Sequence, residues 1–343
     1  MTPGADVIRI DARVRDVGRL RCRATTASGR PCRNYALEGD DYCAVHGRTR
    51  SNRRAAPAAS TRTEPPPEAA SAGVMEWLRN RLSGAYEVDD FGLDSRLLVD
   101  VLGPLIKPLY ERWFRVRTEG VTRIPDVGPA MLVANHSGTI PMDSVMMTYA
   151  VAYEHPARRI VRNVGADLVY RLPFVGSLAR KAGTVVAHDD DALEVLRRGE
   201  LLGVFPEGFK GVGKGWRERY RLQRFGRGGF IALALRARVP IIPVAIVGAE
   251  EAYPMIGNIK PLAGLLGFPY FPVTPTWPLL GPLGLVPLPS RWIIEFGEPV
   301  AMDEYPVDAA EDPMLVFDLT DTIRDRIQQM LFKNLNARGG TFL

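Results

Sequence analysis

A histidine and an aspartate in one short polar segment have the side-chain types needed for proton transfer. The segment reads NHSGTIPMD at residues 135–143 and contains His136 and Asp143. A neutral imidazole takes a proton from an alcohol near pH 7, and a carboxylate on its other ring nitrogen fixes the tautomer. The pair therefore predicts a general base, His136, with Asp143 as its partner. Backbone N–H groups at Ser137 and Gly138, or at the start of the next helix, are candidate donors to an oxyanion.

The neighbouring elements predict where these two side chains lie. The apolar run at 131–134 has the length of a buried strand, and Pro141 suits the first turn of a helix, where a missing N–H does no harm. His136 then lies on the loop after the strand, and Asp143 lies in the first helical turn. The alternative is a loop histidine beside an aspartate that only interacts favourably with the helix dipole.

A second segment presents a carboxylate at the end of a strand. The apolar run at 201–205 stops at a proline, and a carboxylate projecting from such an end can bind a polyol hydroxyl or an arginine. Cations interleaved with glycines and aromatic rings follow up to residue 227, which favours phosphate binding, although a solvated charged loop has the same composition. The two segments together predict substrate contacts at Ser137, Gly138, Phe205, Pro206, Glu207, Gly208 and Lys210.

The order of apolar runs predicts an α/β fold. Strand-length runs lie at 131–134, 185–187, 201–205, 241–247 and 292–296, and helical patterns lie between and after them at 141–153, 167–181, 189–198, 227–238 and 312–333. Alternating strands and helices predict a mixed, largely parallel central sheet flanked by helices, in a domain at 74–335. An earlier apolar helical face over 98–113 contains Pro104 and Pro108, which we expect to kink or divide that helix.

All three cysteines lie in a small N-terminal block. Cys22, Cys32, Cys43 and His46 supply three thiolates and one imidazole, the ligand set of a closed tetrahedral zinc site. We therefore predict a structural zinc module at 20–47, whose folding energy comes from the metal. Residues 48–72 contain few large apolar side chains and predict a disordered linker.

The positive charge is concentrated at the N-terminal end. Of the formal net charge of +5, residues 1–60 contribute twelve arginines against six acidic residues. This arm is suited to nucleic acid, an acidic protein or anionic lipid. The first twenty residues contain no signal-peptide pattern, so we expect an intracellular protein.

An uncharged stretch at 261–290 predicts contact with a membrane or with the protein's own core. It contains 30 residues and eight prolines, which exclude a regular spanning helix. An apolar loop lying in the membrane interface and a proline-rich lid packed on the core are both consistent with it. The side chains expected to insert are Phe268, Tyr270, Phe271, Trp277, Leu279 and Leu280.

Three blocks in order carry a resemblance. With His136 to Asp143, FPEG at 205–208 and VPIIPV at 239–244, residues 95–335 resemble the glycerolipid (lysophospholipid) acyltransferase superfamily, and GAEE at 248–251 resembles its monoacylglycerol/diacylglycerol acyltransferase-like branch. The resemblance implies a glycerol-3-phosphate acyltransferase-like fold and an enzyme that moves a fatty acyl group from acyl-CoA to a lipid alcohol. It implies a site on the cytoplasmic face of a membrane, His136 as general base, and Glu207 and Gly208 holding the acceptor.

Two departures from that superfamily leave choices open. Six residues separate His136 from Asp143 where the superfamily motif has four, so an inactive, lipid-binding acyltransferase fold is an alternative. The segment after FPEG reads FKG at 209–211 where enzymes with phosphate-bearing acceptors often have Thr-Arg-Ser, which makes a neutral acylglycerol as plausible as a lysophospholipid. The block at 22–46 resembles small zinc-binding modules, so a zinc-dependent nucleic-acid- or protein-binding module with an accessory acyltransferase domain is a further alternative.

Overall fold

A central sheet organises the part of the chain that the computed structural model describes, residues 70–84, 86–137, 139–306 and 308–342. The strands in this part are β1 (Arg117–Glu119), β2 (Ala130–Ala134), β3 (Val161–Gly165), β4 (Val185–Val186), β5 (Leu201–Val204), β6 (Ile241–Val247), β7 (Gly257–Asn258), β8 (Pro272–Val273) and β9 (Ile293–Phe296). Seven of them form the sheet in the order β1-β9-β6-β2-β5-β3-β4, and β7 pairs with β8 separately.

Most neighbouring strands in the sheet run parallel. The pairs β6–β2, β2–β5, β5–β3, β3–β4 and β1–β9 are parallel, and only β6–β9 is antiparallel within the sheet. Strands β2 to β6 therefore end at the same edge. This arrangement confirms the predicted mixed, largely parallel sheet flanked by helices.

Helices cover both faces of this sheet. They are α1 (Ala70–Ser83), α2 (the consecutive stretches Leu97–Leu102, Gly103–Pro108 and Leu109–Trp113), α3 (Met142–Glu154), α4 (Asp167–Arg171), α5 (Val175–Lys181), α6 (Asp189–Arg197), α7 (Phe209–Val212), α8 (Gly229–Ala237), α9 (Ala249–Ala252), α10 (Lys260–Leu266) and α11 (Pro313–Ala337). Short 3₁₀ turns occur at Val121–Arg123, Trp216–Glu218, Gly281–Leu285 and Ala309–Glu311. None of the described helices is both long enough and apolar enough to cross a bilayer.

Strand β2 shows how the core is divided. All five of its residues are fully buried, and successive side chains point to opposite faces of the sheet. Met131 and Val133 pack into a cluster with α6, α8 and α11, whereas Ala130, Leu132 and Ala134 pack into a second cluster with α2 and α3. Because both faces are covered, the parallel strands β2, β5 and β6 are continuous apolar runs, which is why the sequence pattern predicts them.

Several elements differ from the sequence-based expectation, among them the unpredicted strands β1, β7 and β8. Strand β3 was not predicted, because Arg162 and Asn163 interrupt its apolar character. The single helix expected at 167–181 is instead α4 and α5, separated at Pro173, which lacks an N–H, and Phe174, which has a φ of 62°. Helix α2 continues through its two prolines, but its first and last stretches are wound as π-helix.

The predicted N-terminal features lie outside the described residues. These are the block at 20–47 with its proposed zinc ligands Cys22, Cys32, Cys43 and His46, and the predicted linker as far as residue 69. Among the residues that the structure describes, no group of three or more His, Cys, Asp or Glu side chains could hold a metal ion.

Candidate active site

The candidate catalytic groups meet at the edge where the parallel strands end. Strands β5, β2 and β6 are adjacent in the sheet and run in the same direction. His136 follows β2, Glu207 follows β5 and Glu250 follows β6. Ligands of open α/β sheets bind outside the carboxyl ends of the strands, and these three segments are close together there.

His136 and Asp143 are in direct contact. Asp143 lies in the first turn of α3, and its Oδ2 is 2.8 Å from Nδ1 of His136. The aspartate side chain is fully buried, whereas 15% of the histidine side chain is exposed. With a proton on Nδ1 donated to the carboxylate, Nε2 is the ring nitrogen left to accept a proton from a substrate. The loop with six intervening residues thus brings the two side chains together.

Two backbone N–H groups also donate hydrogen bonds to the Asp143 carboxylate. Its Oδ2 also accepts the N–H of Ser137 at 2.8 Å, and its Oδ1 accepts the N–H of Ser144 at 2.8 Å. The Ser137 N–H is therefore engaged and is not free to bind an oxyanion. The Ser137 hydroxyl oxygen is buried and has no hydrogen-bond partner. Gly138 lies outside the described residues.

Asn135 fixes the start of the candidate catalytic loop, residues 135–143, called the catalytic loop below. Its side-chain amide accepts the N–H of Ile246 at 2.7 Å and donates to the carbonyl of the same residue at 3.0 Å. The buried amide continues the pairing of β2 with β6 one position beyond the strand. This residue was missed by the sequence prediction, although it immediately precedes His136.

Glu207 is buried and accepts hydrogen bonds from two segments, the loop after β2 and the loop that contains Gln223. Its Oε1 accepts the backbone N–H of His136 at 2.9 Å, and its Oε2 accepts the backbone N–H of Gln223 at 2.6 Å. Lys214 Nζ lies 3.3 Å from the same Oε2. The predicted contact of Glu207 with an acceptor stays a prediction, because both oxygens already have protein partners in this structure.

Lys214 connects Glu207 to a second buried carboxylate. Its Nζ lies 3.1 Å from Oε1 of Glu250, whose Oε2 accepts the N–H of Tyr220 at 2.9 Å. Burial lowers the pKa of Lys214, but the two carboxylates more than offset this, so its pKa lies above the ordinary value. Burial also raises the pKa of Glu250 to about 7, although Lys214 opposes the shift. Neither Lys214 nor Glu250 was predicted as a site residue.

The other predicted contacts line the same edge. The Phe205 ring lies against the His136 ring with 4.6 Å between centroids. Pro206 is half-buried next to it, and Lys210 is exposed in α7. Gly208 has φ 53° and ψ −141°, a conformation that residues with a Cβ rarely adopt, so glycine is required where the chain turns into α7.

A small pocket adjoins His136. Its lining includes Thr139, Gly211, Lys214 and Trp216. Gly211 packs so closely on the catalytic loop that a Cβ there would lie 2.6 Å from the carbonyl oxygen of His136. The pocket therefore lies against the backbone of the loop that contains His136.

The uncharged segment at 261–290 is attached beside this pocket. The Tyr270 hydroxyl donates to the carbonyl of Thr139 at 3.0 Å, and the Trp113 indole donates to the carbonyl of Pro287 at 2.9 Å. Tyr270 is partly buried, while the outer part of the segment exposes a set of large apolar side chains: Leu265, Leu266, Leu279, Leu280, Leu283, Leu285 and Val286. Part of the segment thus packs on the protein, and part presents leucines to the surroundings.

The chain is similar to known proteins over most of its length. Residues 115–247 match the Acyltransferase family. The uncharacterized protein Rv0502 of Mycobacterium tuberculosis is 48% identical over 312 residues, which cover 90% of this chain and 87% of Rv0502. The human protein described as "DGAT1/2-independent enzyme synthesizing storage lipids" is 26% identical over 227 residues, which cover 66% of this chain and 64% of that protein.

A solved structure is also similar. It is the 1-acyl-sn-glycerophosphate (LPA) acyltransferase PlsC from Thermotoga maritima, with a TM-score of 0.47 and 18% identity over 79% of this chain and 90% of that chain. From its sequence relatives, the chain belongs to the same family as Rv0502 and contains an Acyltransferase-family domain at residues 115–247.

Proposed function

We propose that this protein is a membrane-associated O-acyltransferase that moves a fatty acyl group from acyl-CoA to the hydroxyl of a lipid alcohol. The observation that carries the proposal is the contact of 2.8 Å between His136 Nδ1 and the buried Asp143 carboxylate. This contact supplies the oriented general base that alcohol acylation requires. It also favours an enzyme over an inactive, lipid-binding member of the fold.

The reaction follows from the position of the free ring nitrogen. His136 Nε2 takes the proton of the acceptor hydroxyl while the hydroxyl oxygen attacks the thioester carbonyl carbon. The tetrahedral intermediate collapses with breakage of the carbon–sulfur bond, and the imidazolium returns its proton to the departing thiolate. The products are an ester and free CoA, and Asp143 stabilises the imidazolium while it exists.

The acceptor that we propose is a neutral acylglycerol. Two cations line the pocket beside the catalytic loop. Lys214 is buried and already paired with Glu207 and Glu250, which leaves that ammonium no unpaired charge for an acceptor phosphate, and Arg219 is exposed with its guanidinium over the Trp216 ring. The FKG segment at 209–211, in which Phe209 and Lys210 are exposed and Gly211 is buried, agrees with this choice. The human relative is named as an enzyme that synthesises storage lipids, and this name supports an acylglycerol acceptor.

The membrane-facing element that we propose is the outer part of the segment at 261–290. Its exposed leucines can enter the interface of a bilayer, where burial of apolar surface stabilises the bound state. The bond from Tyr270 to Thr139 places the segment next to the catalytic loop. An acyl chain leaving the membrane would thus meet the site directly.

The N-terminal block is proposed as a separate structural zinc module. Cys22, Cys32, Cys43 and His46 are its ligands, and the arginine-rich arm around them is suited to an acidic partner or nucleic acid. Zinc measured in the purified chain is expected at one ion per molecule and absent after Cys43→Ser. Acyl transfer is expected to be unchanged by that substitution, whereas its loss would tie the block to the chemistry.

A substrate panel tests the proposed function. The full chain is mixed with palmitoyl-CoA and vesicles containing monoacylglycerol, diacylglycerol, lysophosphatidic acid or a long-chain alcohol. Free thiol release and the esterified product are measured for each acceptor. We expect ester formation with an acylglycerol at a rate above that with lysophosphatidic acid. Absence of ester with every acceptor would overturn the proposed activity, and preference for lysophosphatidic acid would overturn the proposed acceptor.

A further inference from the structure

The segment at 217–227 presents a row of exposed arginines. It contains five arginines and one acidic residue, Glu218. Within the part of the chain that the structure describes, no carboxylate lies within ion-pair distance of any of these arginines. Four of them lie within eight positions of the chain and are called the arginine row below: Arg217, Arg219, Arg221 and Arg224.

The backbone that carries the arginine row is held in place by the protein core. Tyr220, Leu222 and Phe225 lie between or directly after the arginines and are only 4%, 5% and 1% exposed. The Leu222 N–H donates to Oε1 of Gln328 on α11 at 2.9 Å, and the Gln328 side-chain N–H donates to the Tyr220 carbonyl at 2.8 Å. Buried and exposed residues therefore alternate, and the arginines project from an anchored segment. A freely solvated charged loop would not need these anchors.

The arginine row adjoins the uncharged segment at 261–290. Trp216, which directly precedes the row, donates its backbone N–H to the carbonyl of Met255 at 2.8 Å. Two residues before Met255, the Tyr253 hydroxyl donates to the carbonyl of Leu285 at 2.7 Å. Residues 253–255 thus link the row to the part of the segment that exposes leucines.

Exposed leucines beside unpaired cations are typical of a surface that binds an anionic membrane. The apolar side chains enter the interface, while guanidinium groups stay at the level of the headgroups and interact with their phosphates. Each arginine near an anionic surface adds to the binding free energy. Nucleic acid also attracts arginines, but it offers no apolar phase for the neighbouring leucines.

We infer that the arginine row binds the headgroups of anionic phospholipids. Together with the leucines at 261–290, it gives the protein two neighbouring contacts with the bilayer, which fix an orientation that one contact leaves free. Because the segment is already ordered, little conformational entropy is lost when it binds. The inference rests on the proposed membrane association, but vesicle binding is measured without substrates. Its failure can therefore be separated from failure of the proposed activity.

Sedimentation with two kinds of vesicle tests the row. The full chain is mixed with phosphatidylcholine vesicles that contain or lack phosphatidylglycerol. We expect Arg221→Gln/Arg224→Gln to bind the anionic vesicles about 10- to 30-fold more weakly than the wild type and to bind the neutral vesicles within about twofold. The N-terminal arm is present in every protein, so its own contribution is the same in each comparison.

A matched control removes two arginines at the opposite edge of the sheet. Arg197 and Arg236 are exposed and shortly precede the amino ends of β5 and β6. Arg197→Gln/Arg236→Gln changes the net charge by the same amount and should bind both kinds of vesicle within about twofold of the wild type. All substituted side chains are exposed, so the melting temperatures should match.

Several results would overturn the inference. Wild-type affinity of Arg221→Gln/Arg224→Gln for anionic vesicles, an equal loss in the control, or an equal loss on neutral vesicles would each do so. A double-stranded oligonucleotide is titrated as well. Weaker binding of the oligonucleotide by the row variant, with vesicle binding unchanged, would identify nucleic acid as the partner instead.

The leucine variant separates the two contacts. Leu279→Asp/Leu283→Asp should weaken binding to both kinds of vesicle, whereas the row variant should lose only the preference for anionic lipid. A wild type without any such preference would contradict the inference. A wild type that prefers anionic vesicles through the row but forms no ester would overturn only the proposed activity.

Discussion

Glu207 accepts a hydrogen bond from the backbone N–H of His136 at 2.9 Å. The carboxylate at the end of β5 thereby holds the loop at the end of β2, which carries the candidate base. The two residues are 71 positions apart in the chain, and parallel pairing of their strands brings them together. Glu207 is in turn paired with Lys214, which is also paired with Glu250. The position of His136 therefore depends on these buried charges.

Replacing Glu207 by glutamine should lower kcat more than it changes KM. A glutamine oxygen can accept from only one of the backbone N–H groups of His136 and Gln223, and its NH₂ would face a donor. We expect kcat to fall about 10- to 100-fold and the acceptor KM to change less than about threefold. The same substitution at exposed Glu218 is the control. A large rise in KM at constant kcat would show instead that Glu207 binds the acceptor.

Lys214 should be important for stability. Its replacement by methionine leaves two carboxylates, Glu207 and Glu250, buried without their shared cation. Breaking a buried ion pair in this way costs about 3–5 kcal/mol, so we expect a loss of that size in the free energy of unfolding measured with urea. Lys210→Met, at an exposed position, should change it by less than about 0.5 kcal/mol. A loss below about 1 kcal/mol for Lys214→Met would contradict the proposed role of these ion pairs.

Glu250 should make stability depend on pH. Its pKa is raised from an ordinary 4.5 to about 7 by burial, so the folded protein holds this proton more tightly than the unfolded chain. Its contribution to stability is fully present below about pH 4.5 and is lost as the pH rises to about 7, by up to about 3 kcal/mol.

Urea unfolding of the wild type and Glu250→Gln at several pH values between 5 and 8 measures this contribution. Glutamine still accepts the Tyr220 N–H but does not titrate. The difference in unfolding free energy, wild type minus variant, should therefore fall as the pH rises. A difference that is constant over the range, or that rises, would be inconsistent with the raised pKa.

The exposed leucines of the segment at 261–290 should control vesicle binding. Leu279 and Leu283 are 84% and 71% exposed, and each fully buried leucine contributes about 1.5–3 kcal/mol. The double change to aspartate should weaken sedimentation with lipid vesicles by more than tenfold. Val127→Asp changes an isolated valine that is 87% exposed and should have no effect. If the wild type, the double aspartate variant and Val127→Asp all bind vesicles equally, the membrane contact lies outside the segment at 261–290.

Much of the fold could be predicted because its parallel strands are buried on both faces. Strands β2, β5 and β6 are continuous apolar runs, and a continuous run is visible without knowledge of its partners. Strand β3 was missed because its polar residue Arg162 is neutralised only in the folded state, by an ion pair of 2.6 Å with Asp89. Such a pairing over 73 positions has no local signal in the sequence.

The pairing of His136 with Asp143 was predictable from the sequence, but the residues that support the pair were not. His136 and Asp143 are identified by residue type and local spacing, and the structure brings them into contact. The roles of Asn135, Lys214 and Glu250 depend on which strands are neighbours in the sheet. For Glu250, the local signals were its place in the GAEE motif at 248–251 and its position just after an apolar strand, where α9 begins.

Ester formation by the wild type and by His136→Ala and Asp143→Asn variants is the most direct measurement of the proposed chemistry. With palmitoyl-CoA and the best acylglycerol acceptor, His136→Ala should abolish detectable transfer. Asp143→Asn should lower kcat by about 10²- to 10⁴-fold, because the amide no longer fixes the tautomer or stabilises the imidazolium. Ser144→Ala, which alters an exposed hydroxyl beside Asp143, is the control and should retain wild-type kcat. A folded His136→Ala variant with the wild-type rate of ester formation would contradict the assignment of His136 as the base.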